Sequence, residues 1–327
     1  MKNIQADIKS GNFKQVYLLY GEEAYLKQQY KQNLVKALNP DGDTMNFNHY
    51  EGKGIDVKQL IDLCETMPFF AERRVVLLED TGFFKNKCEE LADYMKELPD
   101  YLYLVFVETE VDKRNRMYKA VKACGSIAEF IRQDEKTLMR WAAGILGKAG
   151  KKITQRDMEL LLTKTGTDMG NLRMEMEKLI SYTEGRDVVT AEDIEEICTT
   201  QTTNRIFDMV RAVTEKNQKR ALELYYDLLT LKEPPMRILF LLAKQYRQLL
   251  LAKQFAAAGL AQTEIASKLG VPGFVVKNIT TCARAYTISE LEQAVKDFVD
   301  AEESVKTGRL EDKLSVELLI IKYSSKV

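Results

Sequence analysis

Val16-Tyr-Leu-Leu-Tyr20-Gly21-Glu22-Glu23-Ala24-Tyr25-Leu26-Lys27-Gln28 joins a compact apolar run to the start of a helix through a single glycine. Alternating apolar and polar residues would mark a strand with one wet face. The unbroken run Val16 to Tyr20 instead marks a strand covered on both faces, as in a parallel sheet. Over 22–38 apolar residues recur at helical spacing, and Asn39-Pro40 stops the helix. A buried strand that passes into a helix through a tight turn is the opening unit of an α/β domain.

The flanking sequence repeats the alternation. Residues 45–50, 75–78, 101–107 and 126–131 are further strand-length runs, and helices are expected over 55–67, ended by Pro68, and over 88–98. Residues 1–133 therefore read as a parallel α/β layer. Beyond about Asp134 the β signals stop. Helical period over 134–149, 154–165 and 168–182, with a capped start at Thr190, gives a small helical domain at 134–202. The segments 205–214, 218–231, 235–258, 263–269, 274–285, 289–306 and 312–323 make a second helical domain at 203–327. The helix at 235–258 carries Ile238, Leu239, Leu241, Leu242, Leu249, Leu250 and Leu251, more apolar surface than one intramolecular face needs, and is expected to contribute an interface.

Composition excludes several classes of function. With 48 basic and 49 acidic residues the net charge of −1 gives no global attraction to nucleic acid or membrane, so any DNA contact must be local or shared with partners. Cys64, Cys88, Cys124, Cys198 and Cys282 lie far apart with no C-x-x-C pair, which argues against a zinc site or a disulfide framework and for a reducing compartment. The longest apolar run, 238–243, is far short of the roughly 20 residues a membrane span needs. Residues 1–13 have no apolar core, so a soluble, unprocessed, cytoplasmic protein is expected. His49 is the one histidine and has no second to build a metal site or a Ser-His or Cys-His pair; it reads as a surface or sheet-edge residue. No catalytic residue, metal ligand or cofactor is expected.

The turn after Val16 to Tyr20 sits where an ATP-binding α/β domain carries its phosphate loop. Such a loop needs glycines, so that backbone N–H groups close around phosphates, with a Lys and a Ser or Thr for phosphate and Mg²⁺. Gly21 and Lys27 are correctly spaced, but Leu26 replaces the second glycine and Gln28 the hydroxyl residue, and Glu22 and Glu23 would repel phosphate. The run Val75-Val-Leu-Leu-Glu79-Asp80 resembles a Mg²⁺-holding strand end, yet without the loop it reads as a buried strand ending in solvated acids. The domain reads as a nucleotide-binding fold that has lost its site. An ATPase or nucleotide-dependent transferase is disfavoured accordingly.

Met67-Pro68-Phe69-Phe70 lies between a helix end and a strand start. Pro68 rigidifies the corner, so two adjacent aromatics can project from it. Residue chemistry by itself favours packing of both rings into their own domain, although adjacent residues seldom both turn inward at a tight corner. Arg73 and Arg74 follow, either as a solvated strand start or facing an acidic partner. A second candidate is 263–279, a short helix, a Gly270 turn and another helix, which would make a helix-turn-helix DNA-binding regulator. Its second helix is dominated by Phe274, Val275, Val276 and Ile279, with only Lys277 and Asn278 placed to read bases, so two packed helices fit better.

Six stretches in order carry a resemblance: Val16 to Glu23, Met67 to Glu79, Val105-Phe-Val-Glu108 with Asp112-Lys-Arg114, 168–179, Glu233-Pro-Pro-Met-Arg237, and Val305-Lys-Thr-Gly-Arg309. Along its whole length the chain resembles the delta subunit family of bacterial DNA polymerase III. The resemblance implies an α/β plus all-α fold: an AAA+-like N-terminal domain without ATP binding (1–133), a small helical lid (134–202) and a helical collar that joins a clamp-loader pentamer (203–327). It also implies that apolar residues at 69 and 70 plug into a pocket of the sliding clamp and open it, with Met67, Pro68 and Arg73 beside them. Primed DNA would be met within the assembled complex. The implied role is a noncatalytic subunit of a DNA-directed DNA polymerase holoenzyme.

Overall fold

In β1 (Val16–Tyr20) the side chains of Val16, Leu18 and Tyr20 enter one hydrophobic core and those of Tyr17 and Leu19 another, because successive residues of a strand point to opposite faces. The same division runs through β3 (Arg74–Glu79) and β4 (Leu102–Glu108), where Val76, Leu78, Leu104 and Phe106 oppose Val75, Leu77, Val105 and Val107. With β2 (Phe47–Glu51) and β5 (Ser126–Glu129) these strands form a parallel sheet of order β2-β3-β4-β1-β5. One face is covered by α1 (Lys2–Ser10) and α2 (Ala24–Leu38) through Ile4, Leu34 and Leu38. The other is covered by α3 (Val57–Glu65), α4 (Glu89–Tyr94) and α5 (Arg116–Cys124) through Leu60, Cys64, Leu91, Met95, Met117 and Val121.

The computed structural model describes residues 2–199, 202–271 and 273–325. By packing, the chain divides into Met1–Gln133, the sheet unit, and Asp134–Val327. The second unit opens with α6 (Glu135–Lys148), β6 (Lys152–Ile153), α7 (Gln155–Thr165), α8 (Met169–Tyr182), β7 (Val188–Val189) and α9 (Ala191–Ile197). It continues with α10 (Thr202–Thr214), α11 (Gln218–Thr230), α12 (Pro235–Ala257), α13 (Gln262–Leu269), α14 (Gly273–Ala283), α15 (Ile288–Lys306) and α16 (Asp312–Ser324). A core that includes Met209, Tyr225, Leu242, Tyr246, Ile279, Phe298 and Val316 is drawn from α10, α11, α12, α14, α15 and α16.

Four elements escaped the reading of the sequence. α1 and α5 each present few apolar residues, Ile4 with Ile8 and Met117 with Val121, one turn apart and hidden among charges. Their apolar sides are fixed only because the sheet offers them a surface. The β signals also do not stop at Asp134: Lys152 and Ile153 pair in parallel with Val188 and Val189, a ladder too short to leave a period.

Candidate functional site

Residues 66–73 form the corner between α3 and β3. Pro68 is half-buried, while Met67 is 75%, Phe69 57% and Phe70 94% exposed, and the two rings meet edge to face with centroids 4.5 Å apart. Three large apolar side chains so presented on one corner form the kind of patch that marks a contact surface. Phe70 also holds φ at +52°, in the left-handed region, at a cost of about 1–3 kcal/mol for a non-glycine residue. Burial of its own ring offsets almost none of that cost.

Two buried polar side chains hold the corner from beneath. Asn46, 3% exposed, accepts the Phe69 N–H at Oδ1 (2.7 Å) and donates from Nδ2 to the Phe69 carbonyl (2.8 Å). The guanidinium of Arg74 donates to the carbonyls of Thr66 (2.8 Å) and Met67 (3.4 Å) and to Asn48 Oδ1 (3.2 Å). Arg74 is thus a buried brace, neither solvated nor free to meet a partner. Burying a guanidinium is tolerated only when its donors are satisfied, and carbonyls left by the broken helix end satisfy them. Arg73 is half-buried, its guanidinium over the rings of Phe13 (5.2 Å) and Tyr103 (5.5 Å). The structure therefore brings Met67, Phe69 and Phe70 together on one exposed corner, with Pro68 and Arg73 set back at its edges. Asn46 was missed in the sequence; a polar residue immediately before the strand at Phe47 was its only local signal.

At the end of β1 the loop uses its own groups internally. Gly21 N–H donates to the Glu108 carbonyl (3.3 Å) and Glu23 N–H to the Phe130 carbonyl (3.0 Å), while Phe130 N–H donates to the Tyr20 carbonyl (2.7 Å). Lys27 Nζ donates to the carbonyls of Gly21 (3.2 Å) and Glu108 (3.0 Å), and burial pulls its pKa down against the raising influence of Asp80, Glu108 and Glu79. Glu22 is exposed beside Arg132 at 3.6 Å, whereas Glu23 is buried. Glu79 is partly buried and paired: Lys31 donates to both its oxygens (2.9 and 2.8 Å), and His49, on the edge strand β2 as expected, stands 2.9 Å away. Asp80 accepts from Thr109 N–H and Oγ1, both at 2.9 Å. Glu108 accepts from Thr81 Oγ1 at 2.6 Å, and burial lifts its carboxyl above the usual range.

Gly21 holds φ at +126°, and a Cβ there would stand 2.3 Å from the Phe130 carbonyl oxygen. Gly21→Ala must therefore push β1 and the chain after β5 apart and strain the backbone. It is expected to destabilise the sheet unit by about 3 kcal/mol, read as a lower urea midpoint for the far-ultraviolet transition.

A family model described as "DNA polymerase III, delta subunit" matches residues 17–130, and one described as "DNA polymerase III delta subunit, C-terminal domain" matches residues 203–323. The chain belongs to the DNA polymerase III delta subunit family. It is similar to the DNA polymerase III subunit delta of Bacillus subtilis (strain 168), with 26% identity over 98% of this chain and 95% of that one. A probable DNA polymerase III subunit delta of Aquifex aeolicus (strain VF5) is 22% identical over 80% of this chain and 77% of its own. In fold it is similar to the solved Bacillus subtilis DNA clamp loader delta protein, with 24% identity, a TM-score of 0.68 and 99% of both chains covered. The α/β plus all-α class is borne out.

Within this delta-family chain the spare apolar surface differs from the expectation. Ile238, Leu239, Leu242 and Leu249 of α12 are buried and Leu241, Leu250 and Leu251 partly so, because α14, α15 and α16 cover the helix from several sides. On α12 Phe240 stays 64% exposed, and a second uncovered stripe lies on α16, where Leu314 (41%), Leu318 (48%) and Ile321 (39%) are exposed one turn apart opposite the buried Val316, Leu319 and Ile320. The pair α13 and α14 does form a helical hairpin around Gly270, at φ +64°. Val276, Ile279, Cys282 and Ala283 of α14 enter the helical core; Pro272 lies outside the described residues.

Proposed function

We propose that this delta-family chain is the clamp-loader subunit that grips the sliding clamp and favours its open form, using Met67, Phe69 and Phe70, with Pro68 and Arg73 flanking them. The observation that carries this reading is a pair of exposed, mutually packed phenylalanines on a corner held rigid by buried hydrogen bonds, one of them in a strained conformation that its own domain does not reward. Preorganisation lowers the ordering cost of binding, so the apolar area those rings hide in a pocket is available for grip. Grip alone does not open a ring: the chain must bind the open form more tightly, and shifts the equilibrium only by that difference. Titration of sliding clamp into the purified chain tests the reading, with saturable binding expected and absence of binding fatal to it.

We further propose that the subunit does not bind or turn over ATP. Lys27, the cation a phosphate would need, is committed to two backbone carbonyls, and Gly21 and Glu23 have their N–H groups directed to carbonyls as well. Calorimetry is expected to detect no heat of binding at millimolar ATP with Mg²⁺; a micromolar affinity lost in Lys27→Ala would overturn the proposal.

The second unit is read as a lid at 134–202 and a collar at 203–327, a division favoured by the family's C-terminal domain model beginning at residue 203. The collar, through the α16 stripe, meets the other loader subunits, and primed DNA is met within the assembled complex. The packing of α14 into the helical core favours this over a DNA-reading helix-turn-helix. Among the described residues no helix is long and apolar enough to cross a membrane.

A further inference from the structure

We infer that Asn46 is a positioning residue for clamp capture: its side-chain amide, oriented by Asp43 and through Asp43 by the C-terminal cap of α2, fixes the peptide of Phe69 and so holds both aromatic rings in the gripping geometry. The inference rests on the clamp-binding reading above.

An amide side chain carries an acceptor and a donor with the spacing of a peptide group, so Asn46 can satisfy both the N–H and the carbonyl of one residue, and it does so at Phe69. Its second Nδ2 hydrogen goes to the Asp43 carboxylate. That bond, with the Met45 N–H, keeps the Asp43 carboxyl below the usual range. An ionised Asp43 accepts only, so it dictates which end of the Asn46 amide faces it and leaves Oδ1 toward the Phe69 N–H. Asp43 is itself held at the backbone by Asn39, whose Nδ2 donates to the Asp43 carbonyl (2.9 Å) and whose Oδ1 accepts the Asp43 N–H (3.0 Å). Asn39 caps the C-terminus of α2, its N–H donating to the Val35 carbonyl. A continuous chain of hydrogen bonds therefore runs from the end of α2 to the corner. Arg74 holds the preceding carbonyls of Thr66 and Met67 but does not reach Phe69, so the peptide that leads into both rings depends on Asn46.

Removing this hold lets the corner sample other arrangements, and the apparent affinity falls by the fraction of chains in the competent one. If those arrangements exchange quickly, the loss appears in association, while contacts in the complex, and hence dissociation, change little. The full-length chain is tested by surface plasmon resonance on immobilised sliding clamp, well below the melting temperature. Asn46→Leu is expected to slow association about tenfold and to change dissociation less than about threefold. Asp43→Ala, at a partly exposed position that leaves the corner's side chains intact, is expected to slow association about threefold. In both variants the ¹⁹F resonance of fluorophenylalanine at position 70 is expected to move toward its unfolded-chain position, a signature that an effect confined to global stability does not produce.

Unchanged association and unchanged ¹⁹F spectra in a folded Asn46→Leu or Asp43→Ala overturn the assignment of Asn46, while the clamp-binding reading stands if removal of both rings abolishes binding. If the chain lacking both rings binds clamp as the parent does, the clamp-binding reading falls and the role of Asn46 falls with it.

Discussion

Replacing Phe69 and Phe70 together by alanine is expected to weaken sliding-clamp binding by at least about 1,000-fold while moving the melting temperature by no more than about 2 °C. A phenylalanine ring hides about 150–250 Å², and at about 25 cal/mol per Å² two exposed rings that enter a pocket contribute well over the roughly 4 kcal/mol that such a factor represents. Their loss costs the isolated chain little, because surface substitutions away from special features stay within about 0.5 kcal/mol, whereas a buried Phe→Ala change costs about 3–5 kcal/mol. With Phe70 94% exposed, the structure puts the pair in the first class. Phe70→Gly sharpens the contrast: glycine adopts φ near +52° without strain, so this variant is expected to melt at or slightly above the parent while losing much of its grip. One clamp titration beside one melting curve decides the matter. A double variant that melts far below the parent makes the rings structural; one that melts normally and binds unchanged moves the clamp site elsewhere.

Leu318→Glu combined with Ile321→Glu is expected to weaken assembly with the other loader subunits by about 100-fold or more. Each half-exposed aliphatic side chain contributes about 1 kcal/mol when an interface covers it, and placing a carboxylate in that interface adds a desolvation cost of similar or larger size. Folding is expected to be preserved, because both positions face away from the core that Val316, Leu319 and Ile320 enter. Light scattering of the chain mixed with its partner subunits reads the outcome. Assembly at parental concentrations places the partner surface elsewhere, and a broad loss of helical signal would mean that α16 needs these side chains for its own packing.

Position in the sheet explains much of what the sequence revealed and concealed. Val16 to Tyr20 could be read as doubly covered because five successive apolar residues leave a strand no wet face, and the division of those side chains between two cores is that reading made explicit. The departure of residues 21–28 from a phosphate-loop pattern was equally legible, since a missing glycine and a missing hydroxyl are visible without coordinates. The exposure of Phe69 and Phe70 was not. An aromatic pair after a proline suits a core as well as a surface, and only the path of the chain around the corner separates the two. Nor could the sequence locate the spare apolar surface. α12 looks oversupplied along its length, yet in the fold neighbours cover the seven aliphatic residues that suggested it and leave Phe240 exposed, while the less conspicuous α16 is left with Leu314, Leu318 and Ile321 uncovered.

The sequence by itself therefore determined the parallel α/β layer, the largely helical remainder, the change of pattern near Asp134 and the departure of residues 21–28 from a phosphate-loop pattern. Each of these is written in local periodicity or in the presence of a residue type whose chemistry cannot be replaced. Only the tertiary structure decided the identity of Asn46 and Arg74 as the braces of the corner and the commitment of Lys27 to the carbonyls of Gly21 and Glu108. The physical reason is sequence distance. Asn46 reaches Phe69 across 23 positions and Lys27 reaches Glu108 across 81, and a hydrogen bond between residues so far apart leaves no period, spacing or composition in the chain. It exists because the sheet brings the ends of its strands to the same edge.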